Sequence, residues 1–218
     1  MEKKKLVIAT DCFLPRWDGI ARFLLEIIPK LSKEWDITII APDFPGREVV
    51  FEDVDIVRLP LTMFQVGDYR LPKGDKAIIE DVIQQADLVW THTIAGIGKR
   101  SIDSAKKFNV PVVFQIHSID YELLARSIKV PHAIQDSLYY ISKKYLVGYY
   151  NKCDLIISPS SNVDQMLEWN DVKTNKVNIR LGINTKKFSV PKSRAEAKKK
   201  LNIVENAKII GFCGRIAE

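Results

Sequence analysis

A three-layer α/β/α domain on a mostly parallel sheet of about seven strands is the fold class this sequence predicts, and three observations predict it. Seven short runs rich in Val, Ile and Leu occur at residues 6–9, 37–41, 56–59, 88–90, 112–116, 155–158 and 177–181. They are apolar throughout rather than alternating, the pattern of strands buried on both faces of a parallel sheet. Amphipathic helical segments lie between them, so the chain reads as βαβ units with right-handed crossovers. Finally, 218 residues with 46% hydrophobic and 28% charged side chains can build a large core without a disulfide or metal.

The helical segments follow in order. Residues 20–31 place Ile20, Phe23, Leu24, Ile27, Ile28 and Leu31 on one face. Residues 75–85 repeat the pattern with Ala77, Ile78, Val82 and Ile83, and 97–108 and 161–169 are two more. Residues 132–151 form a longer helix, with Ile134, Leu138, Ile141 and Tyr145 expected inward and Lys143 and Lys144 on another face. The long segment 60–74, with Tyr69 and Arg70, is expected to help shape ligand choice. After the last of the seven strands the pattern changes. Residues 193–201 are charged and helix-prone, with Ser193 and Glu196 spaced as a capping box. Residues 207–215 then read as a new strand running into a Gly-containing turn. The expected organisation is a domain over 1–190, followed over 191–218 by a linker helix and the first strand of a second domain.

Charge and cysteine content narrow the function. The chain carries 33 Lys and Arg against 27 Asp and Glu, a net charge of +6. The excess sits in residues 2–5 and 192–200, leaving the remainder about neutral. No basic helix interleaved with aromatics occurs, so nucleic acid is not an expected partner. Cys12, Cys153 and Cys213 are far apart and form no metal or redox spacing. No metal or cofactor is expected, and the thiols fit a reducing, cytoplasmic setting. No apolar run approaches the length of a membrane span.

In parallel sheets, ligands bind beyond the carboxyl ends of strands. Gly19 follows the first strand at a helix start, where it is either a turn glycine or a point of close approach to an anionic ligand. His117 lies just past the fifth strand, and His92 has the same placement after the fourth. Each is either a structural histidine or a cleft residue. Ser160 stands at a helix start, where an N-cap role competes with ligand binding. Arg215 beside Gly214 is a candidate phosphate clamp.

Four stretches together resemble retaining GT-B glycosyltransferases of the glycosyl transferase group 1, or family 4, kind. Asp11-Cys12-Phe13-Leu14-Pro15 with Asp18-Gly19-Ile20-Ala21 is similar to that family's D-x-F-x-P-x-x-G-G-[IV]-[AS]. Phe114-Gln115-Ile116-His117-Ser118 is similar to its T-x-H-D. Arg180 to Asn184, with Phe188 and Pro191, is similar to its P-N-G-[VI]-D-x-x-x-F-x-P. Ile209 to Ile216 resembles its G-R-[LI] strand. Asp18, Ser118 and Leu181 depart from the pattern, standing in place of Gly, Asp and Asn.

The resemblance implies a Rossmann-like, acceptor-binding N-terminal domain of an enzyme that moves a hexose from a UDP- or GDP-linked sugar to a carbohydrate or lipid-linked acceptor, without a metal. It implies that His117 contacts the transferred sugar, that Gly19 lines the cleft, and that Arg215, beside Gly214, binds the donor diphosphate; Asp18, His92 and Ser160 are candidates for the same cleft by their positions at strand ends and helix starts. It places most of the donor site beyond residue 218, so the chain alone is expected to be inactive. A non-catalytic nucleotide- or sugar-binding domain is the alternative. Lipid-linked acceptors also bring an expectation of peripheral contact at the inner membrane face through residues 132–151, against a core-packed helix with a solvated face.

Overall fold

The computed structural model describes residues 3–66, 69–118 and 132–212. The chain divides into two compact units, Met1–Leu181 and Gly182–Glu218.

The first unit is built on strands β1 (Lys4–Ala9), β2 (Trp35–Pro42), β3 (Val54–Leu59), β6 (Leu88–Thr91), β7 (Val112–Gln115), β8 (Leu155–Ser158) and β9 (Lys176–Asn178). They form one parallel sheet in the order β3-β2-β1-β6-β7-β8-β9. Six match the runs expected from the sequence, and the seventh, expected over 177–181, is cut to Lys176–Asn178 with Ile179 and Leu181 exposed. The reason the central strands read as apolar is visible in β1. Leu6 and Ile8 join a core on one face, and Val7 and Ala9 join a second core on the other. Leu6, Val7 and Ile8 so buried contribute about 1.5–3 kcal/mol each.

Helix α1 (Gly19–Leu31) covers the first face, burying Ala21, Leu24 and Ile28. Helices α2 (Lys76–Ile83), α3 (Gly96–Phe108), α4 (His132–Tyr150) and α5 (Ser161–Trp169) supply the opposite core. Helix ends are set by short polar side chains. The carboxylate of Asp75 accepts from Ala77 and Ile78 N–H to start α2. Asn109 closes α3 in the left-handed conformation at φ 56°, which Asn tolerates better than most residues.

Three features differ from the sequence expectations. In α2 the buried residues are Ile79 and Ile83, while Ile78 is exposed. In α4 the face expected inward is mostly outward: Ile134, Ile141 and Tyr145 are exposed, and Ser142, Leu146, Tyr149 and Tyr150 are buried. The aromatic end of the helix decides this orientation. Tyr150 packs edge-on against Phe114 of β7 at 5.1 Å, and Tyr149 donates to Asp103 of α3 at 3.0 Å. The segment 60–74, where no strand is expected, contains an antiparallel pair, β4 (Leu61–Val66) and β5 (Tyr69–Pro72).

In the second unit, Ser193 accepts from Glu196 N–H at 3.1 Å and starts α6 (Arg194–Lys200). Residues 207–212, expected to open a strand, form none. Ile209, Ile210 and Phe212 are exposed there, and no strand occurs among the described residues of this unit. Residues 213–215 of that expected strand lie outside the described residues.

Candidate functional site

The strand order reverses between β1 and β6. The chain steps outward from β1 to β2 and β3, then returns to place β6 on the other side of β1. In such sheets a crevice opens at the carboxyl ends of the two strands where the order reverses. The loops there carry Asp11 to Gly19 after β1 and His92 to Ala95 after β6, with His117 after the adjacent β7.

Asp11 ties the two loops together. Its carboxylate is buried and accepts from Thr93 Oγ1 at 2.6 Å, Ala95 N–H at 3.0 Å, Ile97 N–H at 2.7 Å and Gly98 N–H at 3.1 Å. Its own N–H donates to Thr93 Oγ1 at 2.7 Å. Three of the four donors are backbone N–H groups at the N-terminus of α3, those of the capping residue Ala95 and of Ile97 and Gly98, which a helix leaves unsatisfied and which favour an anion. Burial pushes the Asp11 carboxyl up from its ordinary value, and Thr93, Ile97, Ala95 and Gly98 pull it back. Three of the four partners are backbone N–H groups, which can only donate, and an ionised carboxylate satisfies all of them.

The rest of the first loop is held from two further directions. Tyr69 of β5 donates its hydroxyl to Asp11 C=O at 2.6 Å, so the hairpin is rooted at this site. Arg58 donates to Leu14 C=O at 2.8 Å and Pro42 C=O at 3.0 Å, with its guanidinium over the Phe13 ring. Burial pushes the Cys12 thiol far up and the Cys153 thiol up to about 12, so neither is a thiolate nucleophile near neutral pH.

The two histidines meet. His92 Nδ1 lies 2.9 Å from His117 Nε2. His92 is only 2% exposed, whereas His117 is half-buried. Phe23 of α1 packs against both rings, edge-on to His117 at 5.2 Å and tilted to His92 at 6.0 Å, and Trp90 lies 4.5 Å from His92. Burial and the neighbouring His117 hold His92 well below its ordinary value, and burial takes His117 down to about 4. Both rings are therefore neutral near pH 7, able to donate or accept a hydrogen bond but carrying no positive charge.

The remaining sequence candidates fall as follows. Gly19 opens α1, and a Cβ there would meet nothing within 4 Å, so its backbone faces open space. Asp18 accepts from Ala21 N–H at 2.8 Å and caps that helix. Ser160 caps α5, accepting from Val163 N–H at 3.4 Å. Gly214 and Arg215 lie outside the described residues. His117 and His92 thus gather around Phe23 and Gly19 opens the helix that carries Phe23, whereas the side chains of Asp18 and Ser160 are engaged by their own helices. Phe23 and the Asp11–Thr93 lock were not singled out from the sequence. Phe23 reads as ordinary helix core, and the partners of Asp11 are 82 to 87 residues away.

Comparison with known proteins gives the setting. The model of glycosyltransferase family 4 matches residues 17–187. Alpha-monoglucosyldiacylglycerol synthase of Streptococcus pneumoniae is 28% identical over 98% of this chain. The chain spans about half, 49%, of that curated relative. The structure of Anabaena Alr3699/HepE in complex with UDP and glucose superposes with a TM-score of 0.55 at 10% identity, covering 91% of this chain and 50% of that one. A glycosyltransferase from Rickettsia africae superposes equally well, at 0.55 and 16% identity, covering 94% of this chain and 51% of the other. The fold is the Rossmann-like α/β domain of the GT-B architecture. With the family model covering more than three quarters of its length, the chain belongs to glycosyltransferase family 4.

Proposed function

We propose that this chain is the acceptor-binding half of a retaining glycosyltransferase that transfers a hexose, glucose in the first instance, from a UDP-sugar to diacylglycerol or a related lipid acceptor. The observation that carries the reading is the loop cluster at the β1/β6 reversal, where the neutral His117 ring stands beside His92 and Phe23 inside the family-matched segment. The S. pneumoniae relative, named for a glucosyldiacylglycerol, supports the sugar and the acceptor, and the UDP in the Anabaena structure supports the nucleotide.

In this reading catalysis is mainly positioning. His117 hydrogen-bonds the sugar being transferred, and Gly19 lets substrate approach the backbone. The Asp11–Thr93 lock keeps the two loops at a fixed separation. A partner domain grips the nucleotide, with Arg215 on the departing diphosphate. The nucleotide-sugar is a co-substrate, and no resident metal is assigned to this chain. The setting is cytoplasmic, and the exposed Ile134, Ile141 and Tyr145 of α4, beside Lys144, support peripheral contact with the membrane that holds the acceptor.

The test is a donor scan on the protein that carries this chain together with its nucleotide-binding partner domain. UDP-glucose with diacylglycerol micelles should release UDP and yield glycolipid. Binding of donor or acceptor without any UDP release would favour the non-catalytic sugar-binding alternative. Failure of Ile141→Glu to weaken sedimentation with anionic vesicles at low salt would remove the membrane contact.

A further inference from the structure

We propose that His92 is a positioning residue that donates Nδ1–H to His117 Nε2 and so holds His117 in its Nδ1–H tautomer, presenting the ligand with an N–H donor rather than a base. That His117 meets substrate rests on the proposed function. The tautomer assignment does not.

The geometry carries the assignment. One of the two nitrogens 2.9 Å apart must hold the shared proton while the other accepts. The choice is decided at the far side of His92. Its Nε2 is buried and has no hydrogen-bond partner among the described residues. If His117 were the donor, neutral His92 would carry its proton on Nε2 and bury an unsatisfied N–H. Orphaned buried N–H groups are rare, and each costs about 1–3 kcal/mol, whereas an unsatisfied acceptor is better tolerated. The cheaper arrangement puts the His92 proton on Nδ1, aimed at His117. With Nε2 of His117 occupied, Nδ1 is the nitrogen left for a ligand, and it carries the proton.

The ring of His92 is placed to enforce this. Its backbone N–H donates to Ala9 C=O at 3.1 Å, at the end of the neighbouring β1 strand. Trp90, Phe23 and His117 then surround the ring. A neutral donor fixed in this way can hold a sugar hydroxyl or ring oxygen, and it cannot take a proton at Nδ1.

The experiment is a long-range proton–nitrogen NMR spectrum of the 15N-labelled chain near pH 7. The chain has three histidines, so His132→Gln identifies the two of interest. The expected result is a protonated Nδ1 and bare Nε2 on both His92 and His117. A proton on His117 Nε2 overturns the proposal from the wild-type spectrum alone. His92→Phe keeps an aromatic ring between Trp90 and Phe23 but removes the donor, and should move the His117 proton onto Nε2. His92→Asn, whose amide nitrogen falls where Nδ1 sat, should leave the His117 pattern in place. An unchanged His117 pattern in His92→Phe also overturns the proposal.

Turnover in the whole protein is the second readout. A drop of about 10-fold in kcat for His92→Phe, with most of it recovered in His92→Asn, is expected. If the spectra hold but His117→Ala turns over normally, the proposed role of His117 fails while the tautomer assignment stands.

Discussion

Replacing Asp11 by Asn asks what holds the two site loops together. The substitution keeps the side-chain shape but converts one oxygen into an NH2 donor. In one orientation the new NH2 faces Ile97 N–H, and in the other it faces Thr93 Oγ1 and the N–H groups of Ala95 and Gly98. The cheaper orientation orphans one buried N–H, at about 1–3 kcal/mol. The lost negative charge at the N-terminus of α3 adds up to about 2 kcal/mol in so buried a setting. The expected loss is therefore about 3 kcal/mol, measured as a lower urea midpoint at pH 7 with an unchanged slope. A loss below about 1 kcal/mol would refute the reasoning. It would mean that Asp11 is carried as a neutral acid, for which Asn is a close mimic, and that burial outweighs the four donors.

Two glycines should part company. A Cβ on Gly98 would stand 1.8 Å from Thr93 C=O, so Gly98→Ala should cost about 3 kcal/mol or more by prising α3 from the β6 loop. Gly19→Ala meets open space and should leave the denaturation midpoint within about 1 kcal/mol while lowering turnover. A destabilised Gly19→Ala would mean that Gly19 has a backbone role in the fold. Acid should weaken the domain through the histidine pair. The folded state holds His117 neutral down to about 4, against an ordinary value of 6.5. Its contribution is complete above 6.5 and is lost as pH falls from 6.5 toward 4, by about 3 kcal/mol at most. Urea midpoints across that window should fall less steeply in His117→Phe than in the wild type, and parallel curves would contradict the burial argument.

The sheet was legible because its central strands are buried on both faces and left short apolar runs, as Leu6 to Ala9 of β1 show, whereas the edge strand β9 is exposed at Val177 and Asn178. Faces of helices were less legible. In α4, Ile and Tyr occur all around the cylinder, and Phe114 and Asp103, on other elements, select which of them turn inward. The β4–β5 pair was missed because Thr62 and Gln65 interrupt the apolar run and Pro60 and Pro72 bracket it. Strand-end position pointed to His92 and His117 separately. Their hydrogen bond, 25 residues apart in the chain, exists only once β6 and β7 are side by side. Asp18 and Ser160 show the converse, since helix-start residues that suit a ligand suit a cap equally well.

The central claim is that the crevice at the β1/β6 reversal, with His117 on its rim, serves sugar transfer. The most direct measurement is UDP release coupled to glycolipid formation by the whole protein, comparing wild type with His117→Ala at matched folding. A fall in kcat of about 10-fold or more with an unshifted urea midpoint at pH 7 is the expected result. Undiminished turnover in His117→Ala would contradict it and move the site away from these strand ends.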